Sequence, residues 1–295
     1  MLKRINWKAV FYVFTWVICL SGLVVLMSFI ESRKTTTTCK SVKVIIPGNQ
    51  NFIERAEVDG ILMMNGGPLV GRELKNINIH KLEAALKANP FIEFAKVYAD
   101  MDGIIQVQIR QREPLLRVLN MQNQDFYVDY NGYKIPTSDN FTADVLVANG
   151  YIAENFNGTV DTLKSKIAKD LFLAANFISR DTLWSDQIEQ LYVNENNEIE
   201  LVPRVGDQKI ILGNADSLKV KFRNLYAFYK KALPKLGWNT YKTINIKYAN
   251  QIVCEKNIID STKLIKPIAK ESVALALKPD TAIKESQDTI KINAF

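Results

Sequence analysis

The chain carries one histidine, His80, among 295 residues. That scarcity removes histidine-rich metal sites and leaves a single candidate base for Ser-His or Cys-His catalysis. His80 lies in NINIHKLEAALKANP, a short helical pattern, and reads as an exposed helix residue. There are three cysteines, too few for a disulfide scaffold. Cys19 falls inside a long apolar run, Cys39 just after it and Cys254 far along the chain. A Cys39–Cys254 bridge would need Cα atoms within about 7 Å, which two domains stacked away from a membrane would not provide. No Ser-x-x-Lys, G-x-S-x-G, H-E-x-x-H, P-loop or dinucleotide glycine pattern is present. Gly66-Gly67-Pro68-Leu69-Val70-Gly71 has glycines but no phosphate-binding lysine, and reads as a loop between helices. The net charge of +7 comes with no arginine-rich run. Three of its charges flank the apolar run and the rest are scattered, so nucleic-acid binding is not indicated.

What the chain does have is Ala9–Ile30, AVFYVFTWVICLSGLVVLMSFI, 22 residues without a charge. As a helix it would be about 33 Å long, against a hydrocarbon core of roughly 30 Å. A helix satisfies its own backbone in lipid, so the run should be helical. Lys3, Arg4 and Lys8 precede it, and the positive-inside rule then keeps residues 1–8 in the cytoplasm. A buried core helix rarely runs this long uncharged. A cleaved signal peptide has an apolar region of about 7–15 residues and a small-x-small site, which Met27–Glu31 does not supply. The run is read as an uncleaved membrane anchor over 9–30.

Residues 31–40 (ESRKTTTTCK) are polar and read as a short tether. After it, Val42–Ile46 is strand-like and stops at Pro47-Gly48. Phe52–Met64 fits a helix, weakened by Gly60. Asn78 is placed to cap a second helix with Ile79, Leu82 and Leu86 on one face. Asn89-Pro90 ends it. Phe94–Ala99 and Ile104–Arg110 alternate as two strands around Asp100–Gly103. The order β-α-α-β-β in about 75 residues predicts a small α+β domain with two helices on one face of a three-stranded sheet.

From Leu115 the texture becomes strand-rich. Gln124–Tyr130 followed by Asn131-Gly132 predicts a type I′ hairpin returning over Tyr133–Pro136. Val160–Ser179 fits a helix, with Leu163, Ile167, Leu171, Ala174 and Ile178 on one face. Gln187–Val193 and Glu198–Val202 read as a hairpin. Ser217–Leu233 is a second helix with its Lys/Arg side read as solvated. In Trp238–Lys256, Ile244, Ile246 and Tyr248 alternate with Asn245 and Lys247. Asn250-Gln251 then turns and Ile252–Cys254 returns. From Asn257 the sequence is polar and cannot bury enough surface to order itself. It reads as a flexible tail over 257–295, in which Val273, Leu275 and Leu277 are weak apolar spots that could serve a partner.

Asn89-Pro90-Phe91-Ile92, the hairpin Val97–Ile109 and Gln111-Arg112-Glu113-Pro114 together resemble a POTRA domain, the polypeptide-transport-associated module. Arg112-Glu113-Pro114 is expected to be structural. One POTRA directly behind an N-terminal anchor, followed by Ile244-Asn245-Ile246-Lys247-Tyr248 and a polar turn, resembles the FtsQ/DivIB family of cell-division proteins. The resemblance implies an α+β fold with this layout: cytoplasmic tail 1–8, transmembrane helix 9–30, tether 31–40, POTRA domain 41–115, β domain 116–256 and tail 257–295. It implies a non-enzymatic, single-pass inner-membrane scaffold without cofactors, with its C-terminal domains in the periplasm at the division site. Its partners would be FtsB- and FtsL-like proteins, and the bilayer through Ala9–Ile30. The implied contact residues are Ile246, Lys247, Tyr248, Ile252 and Val253. A lysine stands where the family often has arginine, so a bidentate fork is replaced by a point charge, and no aromatic follows the turn. A strand tyrosine with only a packing role also fits Tyr248. The alternative function is a POTRA-type docking or chaperone module in outer-membrane protein assembly or secretion. Such modules usually occur as repeats before a barrel, and no repeat is visible here.

Overall fold

The computed structural model describes residues 7–48, 51–249 and 251–257, without the side chains of 8–10 and 29–36. The expected tail beyond residue 257 and most of the N-terminal segment lie outside the described residues. The chain forms two compact units. The first holds the chain to Glu113 together with Ser138–Thr142. The second holds Pro114–Thr137 and what is described from Ala143 onward.

The first unit begins with helix α1, Trp7–Thr36, which contains one 18-residue span, Phe11–Ser28, long and apolar enough to cross a membrane. The helix therefore runs through most of the segment read as a tether. The remainder is not a free linker either. Cys39 N–H donates to Arg72 O at 2.7 Å and Lys40 N–H to Gly103 O at 2.8 Å, and Cys39 is buried. Threonine-rich sequence looks like a linker, but its main chain here is held by two loops far away in sequence.

Strand β1 (Ser41–Ile45), helix α2 (Arg55–Gly66), a 3-10 turn (Leu74–Asn76), helix α3 (Ile79–Lys87) and strands β2 (Ile92–Ala99) and β3 (Ile104–Gln111) follow. The sheet order is β1-β3-β2. β3 is central, parallel to β1 (Val44 opposite Val107) and antiparallel to β2 (Val97 opposite Val107). Val58 and Leu62 of α2 and Leu82 and Leu86 of α3 pack on Ala95, Val97, Ile105, Val107 and Ile109. Each large side chain buried this way stabilises by about 1.5–3 kcal/mol. Asn78 caps α3 as its sequence suggests, its side chain accepting from Lys81 N–H at 2.9 Å.

Helix α2 starts three residues later than the apolar pattern predicts. Phe52 and Ile53 are buried ahead of it. Ile53 N–H donates to the Gln111 side chain at 3.1 Å, and Phe52 stacks on Phe91 and meets Phe141 edge-on. The apolar residues that open the pattern anchor the chain before the helix begins. Phe141 belongs to Ser138–Thr142, a segment that the sequence reading places in the second domain and the structure places in the first unit.

The second unit is built on one ten-stranded sheet. Its strands are β4 (Pro114–Leu119), β5 (Asp125–Asp129), β6 (Tyr133–Pro136), β7 (Leu146–Gly150), β8 (Asp161–Thr162), β9 (Ile188–Val193), β10 (Ile199–Pro203), β11 (Lys209–Gly213), β12 (Tyr241–Asn245) and β13 (Val253–Lys256). They lie in the order β13-β12-β11-β10-β9-β7-β4-β5-β6-β8. Pro114 opens β4, a position where its missing N–H is tolerated. Helices α4 (Lys166–Ser179), α5 (Thr182–Gln187), α6 (Leu218–Lys231) and α7 (Leu233–Leu236) complete the unit. Leu171, Ala174 and Ile178 of α4 and Phe222, Leu225 and Phe228 of α6 share one core with Leu191, Leu201, Ile210 and Ile244 of the sheet.

Three local expectations are corrected. The helix read over Val160–Ser179 begins at Lys166, because Asp161 and Thr162 pair with Lys134 and Tyr133 as β8 and Ser165 caps the helix from Ala168 N–H. The hairpin at Asn131-Gly132 is not type I′, since Asn131 is absent from the positive-φ residues while Gly132 sits at φ 80°. Asp129 takes up the turn instead, its Oδ1 accepting from Asn131 N–H at 3.0 Å and Tyr133 N–H at 2.8 Å. Such a carboxylate mimics a turn of backbone. Asn120 and Asn194 do the same for Gln122 and Gln124 and for Asn196 and Glu198. Finally, α6 is not basic and solvated throughout. Lys221 is buried, its ammonium donating to Leu212 O, Asn214 O and Asn214 Oδ1 at 2.9–3.0 Å. Burial holds its pKa below the ordinary lysine value.

A second buried charge sits under β6. Lys134 Nζ donates to Glu154 Oε1 at 2.8 Å, with both side chains 2% exposed, and to Asn155 O at 2.8 Å. Glu154 also accepts from the N–H groups of Lys164 and Ser165. Burial alone would raise the Glu154 carboxyl, but the hydrogen bonds from Lys134 and the Ser165 and Lys164 amides outweigh it, leaving the group below its ordinary value.

Candidate partner-binding edge

Every strand of the large sheet but the outermost two has a neighbour on both sides. One outer strand, β8, has two residues, and its Asp161 side chain accepts from the adjacent Thr162 N–H, so it offers little ladder. The other is β13, which runs antiparallel to β12 with Ile244 opposite Cys254 and Asn245 opposite Val253. Among the described residues no strand lies on the far side of β13. In an antiparallel pair every second residue turns its N–H and C=O away from the partner. β13 therefore presents outward main-chain groups, with Glu255 and Lys256 exposed and Val253 and Cys254 half-buried. Burial pushes the Cys254 thiol up to about 11, so it stays protonated and acts as a small apolar side chain.

The structure separates the five residues implied as contacts. Ile246 and Ile252 are core residues, 1% and 6% exposed, and their side chains do not face solvent. Val253 lies on β13 itself. Lys247 and Tyr248 lie beyond the end of β12, not within a strand. Ile246 N–H still reaches Ile211 O at 2.9 Å, and then the chain turns, with Lys247 N–H donating to Asn245 Oδ1 at 3.0 Å. The alternation read through Tyr248 therefore stops at Ile246, because an asparagine side chain closes the turn there.

That turn is tightly held. Lys247 Nζ pairs with Glu198 Oε1 at 2.7 Å, and this pairing, ahead of a small opposing effect of burial, raises its pKa. The lysine stem passes over Gly213, where an added Cβ would lie 2.4 Å from Lys247 Cγ. Gly213 also has φ 80°, so both the close approach and the backbone favour glycine. Asn224 of α6 donates to Ala249 O at 2.7 Å. Tyr248 is left 47% exposed, with Lys247 Nζ 5.8 Å from its ring centroid. The arrangement sets an exposed aromatic ring in the connection from β12 to the outer strand β13, with an ammonium fixed on the inner side, over β11 and β10.

Sequence reading misses Glu198, Asn224 and Gly213. Glu198 is 49 positions from Lys247, and no local pattern links them. Gly213 following the apolar run Ile210–Leu212 is a visible signal for a strand end, but not for the lysine that crosses it. Among the described residues no group of three or more His, Cys, Asp or Glu side chains is placed to hold a metal ion.

Residues 37–110 match the POTRA-like domain family, and residues 113–255 match the family described as FtsQ/DivIB, C-terminal related. No curated protein matches the chain. An apolar helix long enough to cross a membrane, a POTRA-like unit and a mixed β unit of the FtsQ/DivIB-related kind support a membrane-anchored, division-related scaffold. Together the two matches support an FtsQ/DivIB-family protein, and that family is one of non-enzymatic scaffolds with protein partners in the division complex.

Proposed function

We propose that the protein is a non-enzymatic linker of the septal wall-synthesis complex that accepts a strand from an FtsB- or FtsL-like partner along β13. Its N-terminus lies in the cytoplasm and both folded units lie in the periplasm at the division site. The observation that carries this reading is the outer edge of β13, unpaired among the described residues, with Tyr248 exposed in the connection that leads into it. Main-chain hydrogen bonds along an edge give affinity, and flanking side chains give specificity. The contact set is revised accordingly: Val253, Lys247 and Tyr248 touch the partner, whereas Ile246 and Ile252 support the edge from the core.

The test is photocrosslinking in dividing cells. A photoreactive amino acid at Tyr248 or Lys256 should trap an FtsB- or FtsL-like partner. The same probe at Asp161, on the opposite edge of the sheet, should not. Equal trapping at both edges, or trapping at Asp161 alone, rejects β13 as the docking strand. A reporter fused after Phe295 that works only in the cytoplasm would reject the topology.

A further inference from the structure

The first unit has a face that the strand-binding reading does not use. β1 and β3 are parallel and β2 is antiparallel to β3. The start of β1, the start of β3 and the end of β2 therefore lie at one end of the sheet. That end is the one joined to α1. Thr37 O accepts from Leu74 N–H, Cys39 N–H donates to Arg72 O, Gly71 N–H donates to Cys39 O, and Lys40 N–H donates to Gly103 O, all at 2.7–3.0 Å. Arg72 also holds Gly66 O, the last carbonyl of α2. The α2 end, the loop to the 3-10 turn and the β2–β3 turn are thus gathered around the chain as it leaves the apolar helix.

This end carries several strongly exposed apolar side chains. Met101, at the tip of the β2–β3 turn, is 81% exposed, Val70 61%, Met63 63% and Met64 89%. Three of the chain's six methionines are here. Methionine is flexible and polarizable and suits an irregular apolar surface. The charges around them balance: Lys40, Arg72 and Lys75 against Glu73, Asp100 and Asp102, with Lys75 and Glu73 paired at 3.0 Å.

The distance along the helix says what this surface meets. From Ile30, the last residue of the uncharged run, to Thr36 a helix rises about 9 Å. The headgroup layer on each side of the hydrocarbon is about 5–8 Å thick. Thr36 therefore stands at the outer margin of the headgroup layer, and the loops that hold Thr37–Lys40 border the lipid headgroups.

We propose that Met101, Val70, Met63 and Met64 form a membrane-seating surface that dips into the headgroup layer of the bilayer spanned by α1. The inference rests on α1 being a membrane anchor. The occupant is a phospholipid surface engaged through apolar contact. Because the local charges balance, seating needs no anionic lipid. The attachment to α1 keeps the surface at high effective concentration near the bilayer, so weak apolar contacts suffice.

The test uses the full chain reconstituted into phosphatidylcholine vesicles that carry some lipid with a nitroxide on its headgroup. A second set of vesicles carries the nitroxide deep in the acyl chain. A single environment-sensitive fluorescent amino acid is placed in turn at Met101, Val70, Leu26 and Asn89, the last at the opposite end of the sheet. The expected result is that headgroup nitroxide quenches the probe at Met101 and Val70 at least twofold more than at Asn89. The deep nitroxide quenches only Leu26. Replacing part of the lipid by phosphatidylglycerol leaves the pattern unchanged. If Leu26 is quenched but Met101 and Val70 behave like Asn89, the seating surface is rejected and the anchor stands. If Leu26 is not quenched either, the anchor and the seating surface both fail. Quenching at Met101 that appears only with phosphatidylglycerol rejects apolar seating.

Discussion

Removing one partner of the buried Lys134–Glu154 pair should cost far more than removing both. The pair is 2.8 Å long and 2% exposed on each side. In Glu154→Gln the ammonium stays buried with Asn155 O as its close acceptor, and its ion pair becomes a hydrogen bond to a neutral amide carbonyl. Losing one member of a buried pair typically costs about 3–5 kcal/mol. In Lys134→Met the carboxylate keeps the Lys164 and Ser165 N–H donors, so the loss should fall nearer 2–3 kcal/mol. In Lys134→Met with Glu154→Leu no stranded charge remains, and the net loss should be about 1–2 kcal/mol, chiefly from the unsatisfied amides. The coupling is thus several kcal/mol of opposite sign to the single losses. Denaturant unfolding of the full chain in detergent, followed by the near-ultraviolet signal of Trp184, measures each variant. Acid dependence gives a second readout. The folded Glu154 pKa is depressed below 4.5, so its contribution is present above that value and is lost as pH falls toward the lowered folded pKa. Glu154→Gln should therefore flatten the acid limb of the stability curve. Additive single losses with an unchanged acid limb would refute the account.

Two further outcomes follow from the same geometry. Tyr248→Ala should weaken binding of an FtsB-like partner by about 2 kcal/mol, roughly thirtyfold by titration, with thermal unfolding unchanged because the ring is exposed; unchanged affinity would remove Tyr248 from the interface. Gly103→Ala forces a left-handed alanine at φ 85° and sets its Cβ 2.4 Å from Thr38 O. It should destabilise the first unit by about 2 kcal/mol or more, and amide exchange at Lys40 and Ile105 should rise; unaltered protection there would show that the turn relaxes freely.

The parts of the fold that could be read from the chain are those governed by short-range rules. The Asn78 cap, the alternation of Ile105, Val107 and Ile109, and the helical spacing of Leu171, Ala174 and Ile178 depend only on residues a few positions away. The misreadings share the opposite property. Val160–Leu163 looks helical until β6 offers Tyr133 and Lys134 as strand partners. Thr37–Lys40 looks like a linker until Arg72 and Gly103 take up its main-chain groups. Asn131-Gly132 suggests a two-residue turn, but the preceding Asp129 competes for the same amides. At the candidate edge, resemblance points to Lys247 and Tyr248, while the residues that position them, Glu198, Gly213 and Asn224, come from distant parts of the chain. Alternation identifies Ile244 and Ile246 as inward-facing. It cannot show that Asn245 folds back and ends the strand before Tyr248.

The absence of slack after α1 makes the first unit's bearing a matter of helical phase. The helix runs to Thr36 and the sheet is fastened within the next few residues. One residue inserted between Ile30 and Thr36 would turn the whole unit by about 100° about the helix axis and lift it by about 1.5 Å. Seven inserted residues would return it to within about 20° of its original bearing, at a height about 10 Å greater. The compass direction in which this unit looks across the membrane plane is thus written as a residue count in the last turns of α1, and any partner helix that rotates α1 within the bilayer rotates that bearing with it.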